Sequence, residues 1–177
     1  RPPKRTNRST VPAIWNAQQL GRFLAAASRL RLYPALHLAA HSGMRRGEVA
    51  ALRLEDIDRE RGHIRVWRLK RHQPQIYPLV SSVEQALTLY IETARPSVAQ
   101  AQVFIRTRSP RVPISAPGIY DVVNRRLRSL GVQAAHLGPH ALRHACASKM
   151  LADGLTLKEI GDHLGHRSAA STSIYAK

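Results

Sequence analysis

Apolar residues recur three or four positions apart along most of this chain, a spacing typical of amphipathic helices. The segments predicted to be helical are 16–27, 34–41, 83–93, 116–130, 139–153 and 155–164. A short helix would begin near Arg45, and a last one at Ser168, because serine suits the N-cap position. Gly43, Gly131 and Gly154 follow three of the segments, where glycine commonly ends a helix. We therefore expect a mainly α-helical chain.

One region between these helices has a different period. Around Ile64 and Val66, apolar and polar residues alternate, as they do in a half-buried β-strand. A second strand over 75–80 follows a loop over 71–74, so the two strands would form a hairpin with Lys70 near its tip. The predicted fold class is therefore α+β, mainly α-helical, with a small antiparallel sheet.

The charge of the chain points to a polyanionic partner. Lys and Arg number 28 against 11 Asp and Glu in 177 residues, for a formal net charge of +17. Double-stranded DNA is the first candidate for such a partner. The length and the apolar fraction of 44% suit one globular domain with a proper core. Residues 1–12 are basic and proline-rich, which predicts an arm or linker that either contacts DNA or stays solvated.

The sequence also bears on the cellular compartment. The single cysteine, Cys146, excludes an internal disulfide and fits a reducing compartment. It falls on the apolar side of the 139–153 helix, which predicts a buried thiol. No apolar run approaches the length of a membrane span, and no signal-peptide pattern opens the chain. We expect a soluble cytoplasmic protein that is associated with the nucleoid and has no membrane partner.

Two groups of residues raise the question of a metal site. Acidic residues are concentrated at 55–60, but they lack the glycine and the distal glutamate of a calcium loop. His136, His140 and His144 have helical spacing, but a Gly-Pro pair interrupts the helix between the first two, and no cysteine or carboxylate completes a ligand set. The sequence therefore predicts no bound metal.

The start of the 139–153 helix combines two groups that suit a phosphodiester. His140 and Arg143 are three residues apart and share a helical face. A guanidinium offers a planar fork for two phosphate oxygens, and an imidazole can hold or pass a proton near neutral pH. By itself such a pair is more often a solvated polar face, because short motifs have many false matches.

Arg45 gives a second indication of an anion site. At the N-terminus of a helix, the dipole disfavours a cation unless an anion is also bound. Glu48, three residues later, could pair with Arg45 and orient its guanidinium. The alternative is an exposed ion pair that contributes little to stability.

Basic residues also cluster at two other places. The hairpin tip carries several cations beside Lys70, which predicts a hairpin that faces DNA. The 116–130 helix carries three arginines, a cluster suited to backbone phosphates. The residues assigned to DNA binding are Arg46, Arg68, Arg71, His72, Arg125, Arg126, Arg128 and Arg167.

Five dispersed elements resemble the tyrosine recombinase (phage integrase) family in order and separation. They are Arg45 within Ser-Gly-Met-Arg-Arg-Gly-Glu-Val, Lys70 on a hairpin, His140-Ala-Leu-Arg143-His144, Leu164-Gly-His166 and Tyr175. The resemblance covers nearly the whole chain and implies a helical catalytic domain with a small three-stranded antiparallel sheet. The implied active-site residues are Arg45, Lys70, His140, Arg143, His166 and Tyr175, and the implied supporting residues are Glu48 and His144.

The chain departs from the family in three respects. The family's hairpin usually has glycines and a further lysine around the catalytic lysine, whereas Leu69, Arg71 and Pro74 occupy that region here. Relatives also continue beyond the tyrosine into a tail helix and carry a separate N-terminal DNA-binding domain, for which this chain has no room. We therefore expect an arm or linker at 1–12 and a catalytic domain at 13–177, as a fragment of a longer protein.

The chemistry of these residues predicts a reaction without metal or ATP. The two arginines of the set would bind the non-bridging oxygens of the scissile phosphate, with a hydrogen bond from His166, and so replace metal cations. Tyr175 would attack the phosphorus and pass its proton to His140, while Lys70 would protonate the departing 5′-oxygen. The product would be a 3′-phosphotyrosine, which stores the bond energy for rejoining.

Such chemistry predicts a site-specific recombinase or integrase of the kind that mobile genetic elements use. It would act on double-stranded DNA as a homotetramer, and could be a monomer as an isolated domain. Two alternatives remain. A type IB topoisomerase would use nearly the same groups to relax DNA, and a non-catalytic DNA-binding module would explain the charge but would not need His166 and Tyr175 at their positions.

Overall fold

The computed structural model describes residues 21–22, 24–25, 33–68, 72–129, 131, 138–166 and 171–173. The helices with both ends in these ranges are α1 (Tyr33–His41), α2 (Arg46–Ala51), α3 (Ser81–Thr93), α4 (Ala116–Ser129), α5 (Pro139–Ala152) and α6 (Leu157–Leu164). The strands are β1 (Ile57–Asp58), β2 (His63–Arg68) and β3 (Gln73–Pro78), and a 3₁₀ turn at Leu54–Asp56 precedes β1. The predicted fold class, mainly helical with a three-stranded antiparallel sheet, is confirmed.

The helix predictions hold because capping and spacing signals agree. Each of the longer helices begins and ends within two residues of its predicted limits. The start of α6 is moved to Leu157 by a capping box, in which Thr156 Oγ1 accepts from the N–H of Glu159 and the Glu159 carboxylate accepts from the N–H of Thr156. Residues 21–22 and 24–25 are helical, while the rest of the helix predicted at 16–27 and the start of the one predicted at Ser168 lie outside the described residues.

The sheet has the order β1-β2-β3, and both strand pairs are antiparallel. β2 and β3 pair along their full lengths, from His63 opposite Pro78 to Arg68 opposite Gln73. β3 begins at Gln73 and includes Pro74, both of which the sequence pattern places in or near a loop over 71–74. That loop prediction is too long. β3 is an edge strand, and an edge strand tolerates proline because its outer N–H groups need no partner in the sheet.

α1 lies at the centre of the fold. Its residues from 34 to 40 are all buried, the pattern of a helix that is packed on every side. Ala35 and Leu38 belong to the main core, with the inner face of the sheet and α3, whereas Leu36 and Ala39 pack against α4 and α5. Across the described ranges, no helix is both long and apolar enough to cross a bilayer.

α5 is buried on almost every side of its first two turns. Leu142, Ala145 and Cys146 face the core, as predicted. Burial raises the pKa of the Cys146 thiol to about 11, although nearby cations oppose the shift. Arg143 and His144, on the predicted polar face, are buried as well. A buried guanidinium needs compensating partners, and these define the site described below.

Gly43 joins α1 to α2 in a tight space. Its φ is +61°, and a Cβ added there would lie 2.5 Å from Cδ2 of Leu164 and 3.4 Å from Sγ of Cys146. We expect Gly43→Ala to lower the free energy of unfolding by about 2–4 kcal/mol, because left-handed strain and overpacking add together. Gly62→Ala is the matched control, since its φ is +66° but nothing lies within 4 Å. Urea denaturation should give a loss of about 1 kcal/mol for the control, and equal losses would contradict the close contact.

Candidate active site

Arg45 occupies the N-cap position of α2, and Glu48 holds its side chain. The backbone N–H of Arg45 donates to Oε2 of Glu48 at 2.8 Å, and Nη1 donates to Oε1 at 3.0 Å. Nη2 donates to the carbonyl oxygen of Gly165 at 3.2 Å. The alternative of an exposed ion pair is excluded, because the Glu48 side chain is 1% exposed and that of Arg45 is 27% exposed. A carboxylate buried this completely holds the guanidinium in one orientation.

Arg143 reaches the same place from α5. Its Nη1 donates to the carbonyl oxygen of Gly43, and its Nη2 donates to that of Leu164 at 2.6 Å. Leu164 and Gly165 are consecutive, so Arg143 and Arg45 are anchored on adjacent carbonyl groups at the C-terminal end of α6. The last carbonyls of a helix lack intrahelical partners and carry partial negative charge, which favours guanidinium groups there. The fold therefore brings the two arginines together.

The turn that ends α6 positions His166. Gly165 has a left-handed backbone, with φ 63° and ψ 46°, and a Cβ there would lie 3.1 Å from Nε of Arg68. The left-handed backbone favours glycine at this position of the Leu-Gly-His motif, and a larger residue would press on Arg68. Nδ1 of His166 lies 2.7 Å from Oγ1 of Thr172, which is itself buried. This contact holds the imidazole at one angle.

An open cavity of about 770 Å³ collects the described members of the predicted site. Its lining includes Arg45, Glu48, His140, Arg143, His144 and His166. The exposed ring of His140 packs edge-on against His144, with ring centroids 4.3 Å apart. Lys70 and Tyr175 lie outside the described residues, so their places in the site stay predictions.

Two further residues meet at the rim of this cavity. The guanidinium carbon of Arg46 lies 5.8 Å from the centre of the Tyr120 ring, within the range of a cation–π contact. Gly138 makes room for this ring, because a Cβ there would lie 2.5 Å from it. Arg46 is exposed, and its contact with DNA stays a prediction. The sequence does not predict Tyr120, because nothing distinguishes it from other partly exposed helix residues.

The structure corrects the assignment of Arg68 to DNA binding. Its side chain is 1% exposed, and Nη1 donates to Oε2 of Glu48 at 2.6 Å. Nη2 donates to the carbonyl oxygen of His163 at 2.7 Å, and Nε donates to Oε1 of Gln75 at 2.9 Å. Arg68 has the same parity as the two buried apolar residues of β2, so it points into the core. This alternation was the signal in the sequence, and the basic character of the hairpin tip concealed it.

The other residues assigned to DNA binding differ in exposure. Arg125 and Arg128 are exposed on α4, and Arg126 is half-buried, with Nη1 donating to Oγ of Ser129 at 3.3 Å. His72 is exposed at the end of the hairpin turn. Outside the described residues are Arg71 and Arg167. The exposed arginines are placed so that a polyanion could reach them, and their role stays a prediction.

The interior behind the cavity is cationic. Burial lowers the pKa of His163, and the charges of Arg68 and Arg143 lower it further, against the opposing effect of a hydrogen bond with the Ser42 backbone. These shifts favour the neutral form of the imidazole beside the two guanidiniums. The carboxylate of Glu48 is shared by two arginines. Around the described part of the cavity, positive charge therefore exceeds negative charge.

The acidic residues at 55–60 and the histidines at 136–144 are the two candidate groups of metal ligands, and several of their described members have other partners. Asp56 pairs with Arg65 at 3.0 Å, and Asp58 pairs with Arg61 at 3.7 Å. His136 lies outside the described residues. Within the described ranges, His, Cys, Asp and Glu side chains do not form a group of three that could hold a metal ion.

Two anchored guanidiniums beside imidazoles in an open cavity offer the groups that suit a phosphate-like anion. The site lies on a helical domain with a small antiparallel sheet. The model of the Phage integrase family matches residues 13–177, and the chain belongs to this family.

Individual relatives agree with this membership. A protein provisionally named integrase/recombinase y4gC, from Sinorhizobium fredii, is 38% identical over 174 residues, which cover 94% of this chain and 90% of that protein. Tyrosine recombinase XerC from Corynebacterium glutamicum is 31% identical over 93% of this chain and 54% of its own length. The crystal structure of XerA recombinase has a TM-score of 0.81 at 28% identity, over 93% of this chain and 60% of that one. The chain thus spans little more than half the length of XerC and XerA.

A solved recombinase–substrate complex shares the fold. The XerH site-specific recombinase bound to its difH substrate has a TM-score of 0.77 at 22% identity, over 93% of this chain and 50% of that one.

Removing the charge of Glu48 tests how much stability this cluster contributes. We expect Glu48→Gln to lower the free energy of unfolding by about 3 kcal/mol, because it leaves the buried Arg68 guanidinium without a counter-charge. Glu55→Gln is the control, since Glu55 and its partner Arg53 are both exposed, and it should change stability by less than about 0.5 kcal/mol. Urea unfolding of both variants measures the difference. A loss as small as that of the control would show that Glu48 is solvated in solution.

Proposed function

We propose that this chain is the catalytic domain of a site-specific DNA recombinase, which breaks and rejoins DNA through a covalent phosphotyrosine. The observation that carries the proposal is the anchoring of Arg45 and Arg143 on adjacent carbonyls, with His140 and His166 lining the same cavity. Membership of the Phage integrase family and likeness to proteins named as tyrosine recombinases support it.

The phosphate is bound by groups whose positions do not change during the reaction. A phosphodiester carries one negative charge and gains another in the in-line transition state, so catalysis rests largely on positioned positive charge. Arg45 and Arg143 supply that charge as fixed guanidiniums, and His166 adds a hydrogen bond. Because Glu48 and the α6 carbonyls already orient these arginines, little reorganisation accompanies the reaction.

Proton transfers complete the cleavage step. The hydroxyl of Tyr175 has a reference pKa near 10, so its proton must leave as the oxygen attacks phosphorus. His140, exposed to the cavity from the first turn of α5, accepts this proton, and Lys70 donates one to the departing 5′-oxygen. The bond from phosphorus to the 5′-oxygen breaks as the bond to the Tyr175 oxygen forms. The resulting 3′-phosphotyrosine is rejoined by a 5′-hydroxyl, without ATP.

Exchange of strands between two duplexes sets the assembly. Each duplex is cut on both strands, so a complete exchange requires four tyrosines and hence four copies of the domain on DNA. The exposed arginines of α4 and Arg46 at the cavity rim would contact the backbone, in keeping with the net charge of +17.

A trapped cleavage product tests the nucleophile. A nicked duplex that releases the short fragment bearing the new 5′-hydroxyl on cleavage should yield a covalent protein–DNA adduct on a denaturing gel, at equal rates in EDTA and in Mg²⁺, because no metal takes part. We expect Tyr175→Phe to abolish the adduct, since phenylalanine has no attacking oxygen. Tyr120→Phe is the matched control, because Tyr120 is the tyrosine that the structure places at the cavity, and it should still form the adduct. The opposite pattern would make Tyr120 the nucleophile.

The same preparation separates a recombinase from a topoisomerase. One plasmid carries a pair of recombination sites from an element encoding the protein, and a control plasmid lacks them. Only the plasmid with the sites should recombine. Relaxation of supercoiled plasmid at random positions, without recombination, would instead support the topoisomerase-like reaction. Binding with no adduct at all would leave a DNA-binding module.

The role of Lys70 is tested by removing the need for a proton. In a substrate with sulfur in place of the scissile 5′-bridging oxygen, the leaving thiolate is stable without protonation, because a thiol is far more acidic than an alcohol. We expect Lys70→Ala to slow cleavage of normal DNA by about 100-fold or more and to cleave the sulfur substrate at close to the wild-type rate. Lys149→Ala, which removes an exposed lysine paired with Asp153, should behave as wild type on both. An equal defect on both substrates would exclude Lys70 as the acid.

A further inference from the structure

We infer that Arg68 is a positioning residue that holds both phosphate-binding arginines from one buried point. The inference rests on the proposed function, because it assigns Arg68 a role in the reaction that the site would catalyse. Arg68 contacts Glu48, which orients Arg45, and the carbonyl of His163, which adjoins the Leu164 carbonyl that accepts from Arg143.

The first connection runs through Glu48. Nη1 of Arg68 donates to Oε2 of Glu48 at 2.6 Å, and the side chains of both residues are 1% exposed. The other oxygen of the carboxylate, Oε1, accepts from Nη1 of Arg45 at 3.0 Å. Oε2 also accepts from the backbone N–H of Arg45 at 2.8 Å, so the carboxylate bridges the two arginines. With both bound, Glu48 transmits the position of Arg68 to Arg45.

The second connection runs through the end of α6. Nη2 of Arg68 donates to the carbonyl oxygen of His163 at 2.7 Å. The next two carbonyls along the chain accept from Arg143 and from Arg45 respectively. Three arginines are therefore bound to three consecutive carbonyls, and Arg68 is the most deeply buried of the three. Displacing the His163 carbonyl would move the anchors of the other two guanidiniums together.

The surroundings of Arg68 fit a guanidinium in particular. Nε donates to Oε1 of Gln75 at 2.9 Å, and the guanidinium carbon lies 5.0 Å from the centre of the Tyr77 ring. Gly165 lies beside Nε of Arg68, and a Cβ at position 165 would be only 3.1 Å from that nitrogen. A planar fork can reach Glu48 and the His163 carbonyl at once, whereas the single ammonium of a lysine cannot occupy both donor positions. The site is thus built for arginine rather than for positive charge alone.

The position of Arg68 in the chain extends this role to the hairpin. Arg68 is the last residue of β2, and its carbonyl oxygen accepts from the N–H of His72 at 2.8 Å. Lys70 stands two residues later in the sequence. The residue that orients the two arginines is therefore also close along the chain to the proposed acid.

Four variants test the inference against a purely structural role. Arg68→Met removes the guanidinium and keeps much of the side-chain volume. Arg65→Met is the matched control, because Arg65 lies on the same strand, faces outward and pairs with Asp56. Arg68→Lys keeps the charge without the fork. Glu48→Gln combined with Arg68→Met removes both charges of the buried Glu48–Arg68 ion pair. We therefore expect this double variant to fold even if Arg68→Met alone does not.

The measurements are the cleavage rate of trapped DNA at saturating protein, the Kd for the same DNA, and the thermal midpoint. We expect Arg68→Met to slow cleavage by about 100-fold, because displacement of catalytic groups by about 1 Å has an effect of this size. The Kd of this variant for DNA should change by less than about threefold, because the exposed arginines remain. Arg68→Lys should recover about tenfold of the lost rate. The double variant should regain thermal stability but not cleavage, and Arg65→Met should match wild type in every measurement.

Three results would overturn the inference. These are cleavage by Arg68→Met within about threefold of wild type, a rate loss explained entirely by weaker DNA binding, and recovery of cleavage along with stability in the double variant. Should wild-type protein form no adduct, the proposed function fails. In that case, titration of the protein with inorganic phosphate, monitored by NMR, tests the inference independently of cleavage. Phosphate binding that is at least about tenfold weaker in Arg68→Met, but unchanged in Arg65→Met, would support the inference. Equal phosphate affinities in Arg68→Met and the wild type would contradict it.

Discussion

The structure depends on the ion pair that Glu48 makes in the interior. A carboxylate and a guanidinium removed from water each lose a large solvation energy, which only close pairing and further hydrogen bonds can offset. Glu48 and Arg68 meet this requirement at 2.6 Å, and the second carboxylate oxygen turns outward to Arg45. The buried carboxylate of Glu48, which would be costly without a partner, thereby orients the more exposed guanidinium of Arg45. The electrostatics of the core and of the cavity are parts of the same arrangement.

The C-terminal end of α6 gives the site its second fixed element. The carbonyls of His163, Leu164 and Gly165 accept hydrogen bonds from three arginines that arrive from different parts of the chain. A helix that ends in this way supplies partial negative charge without a side chain, so it can hold guanidiniums close together without neutralising them. That property is what an anion site needs, because the positive charge stays available to a phosphate.

Much of the fold could be predicted from the sequence because its signals are local. Helical spacing, a proline at the first turn of α5 and glycine at helix ends act over a few residues, and the helix limits followed them closely. The hairpin was less predictable. Pro74 reads as a turn residue in isolation, and only its place in an edge strand makes it compatible with β3. Whether a strand lies at an edge depends on the rest of the sheet, which no local pattern reveals.

The sequence by itself determined which chemical groups are available, their order along the chain and the face of each helix or strand on which they lie. The tertiary structure decided which charges are buried and which face the cavity. Arg68 and Arg45 are the same kind of side chain in similarly basic surroundings, yet one is inside and one opens to the cavity. Arg68 is inside because it lies on the inward face of β2 and meets a carboxylate 20 residues away and a carbonyl 95 residues away. Pairing over such distances forms only when the chain folds.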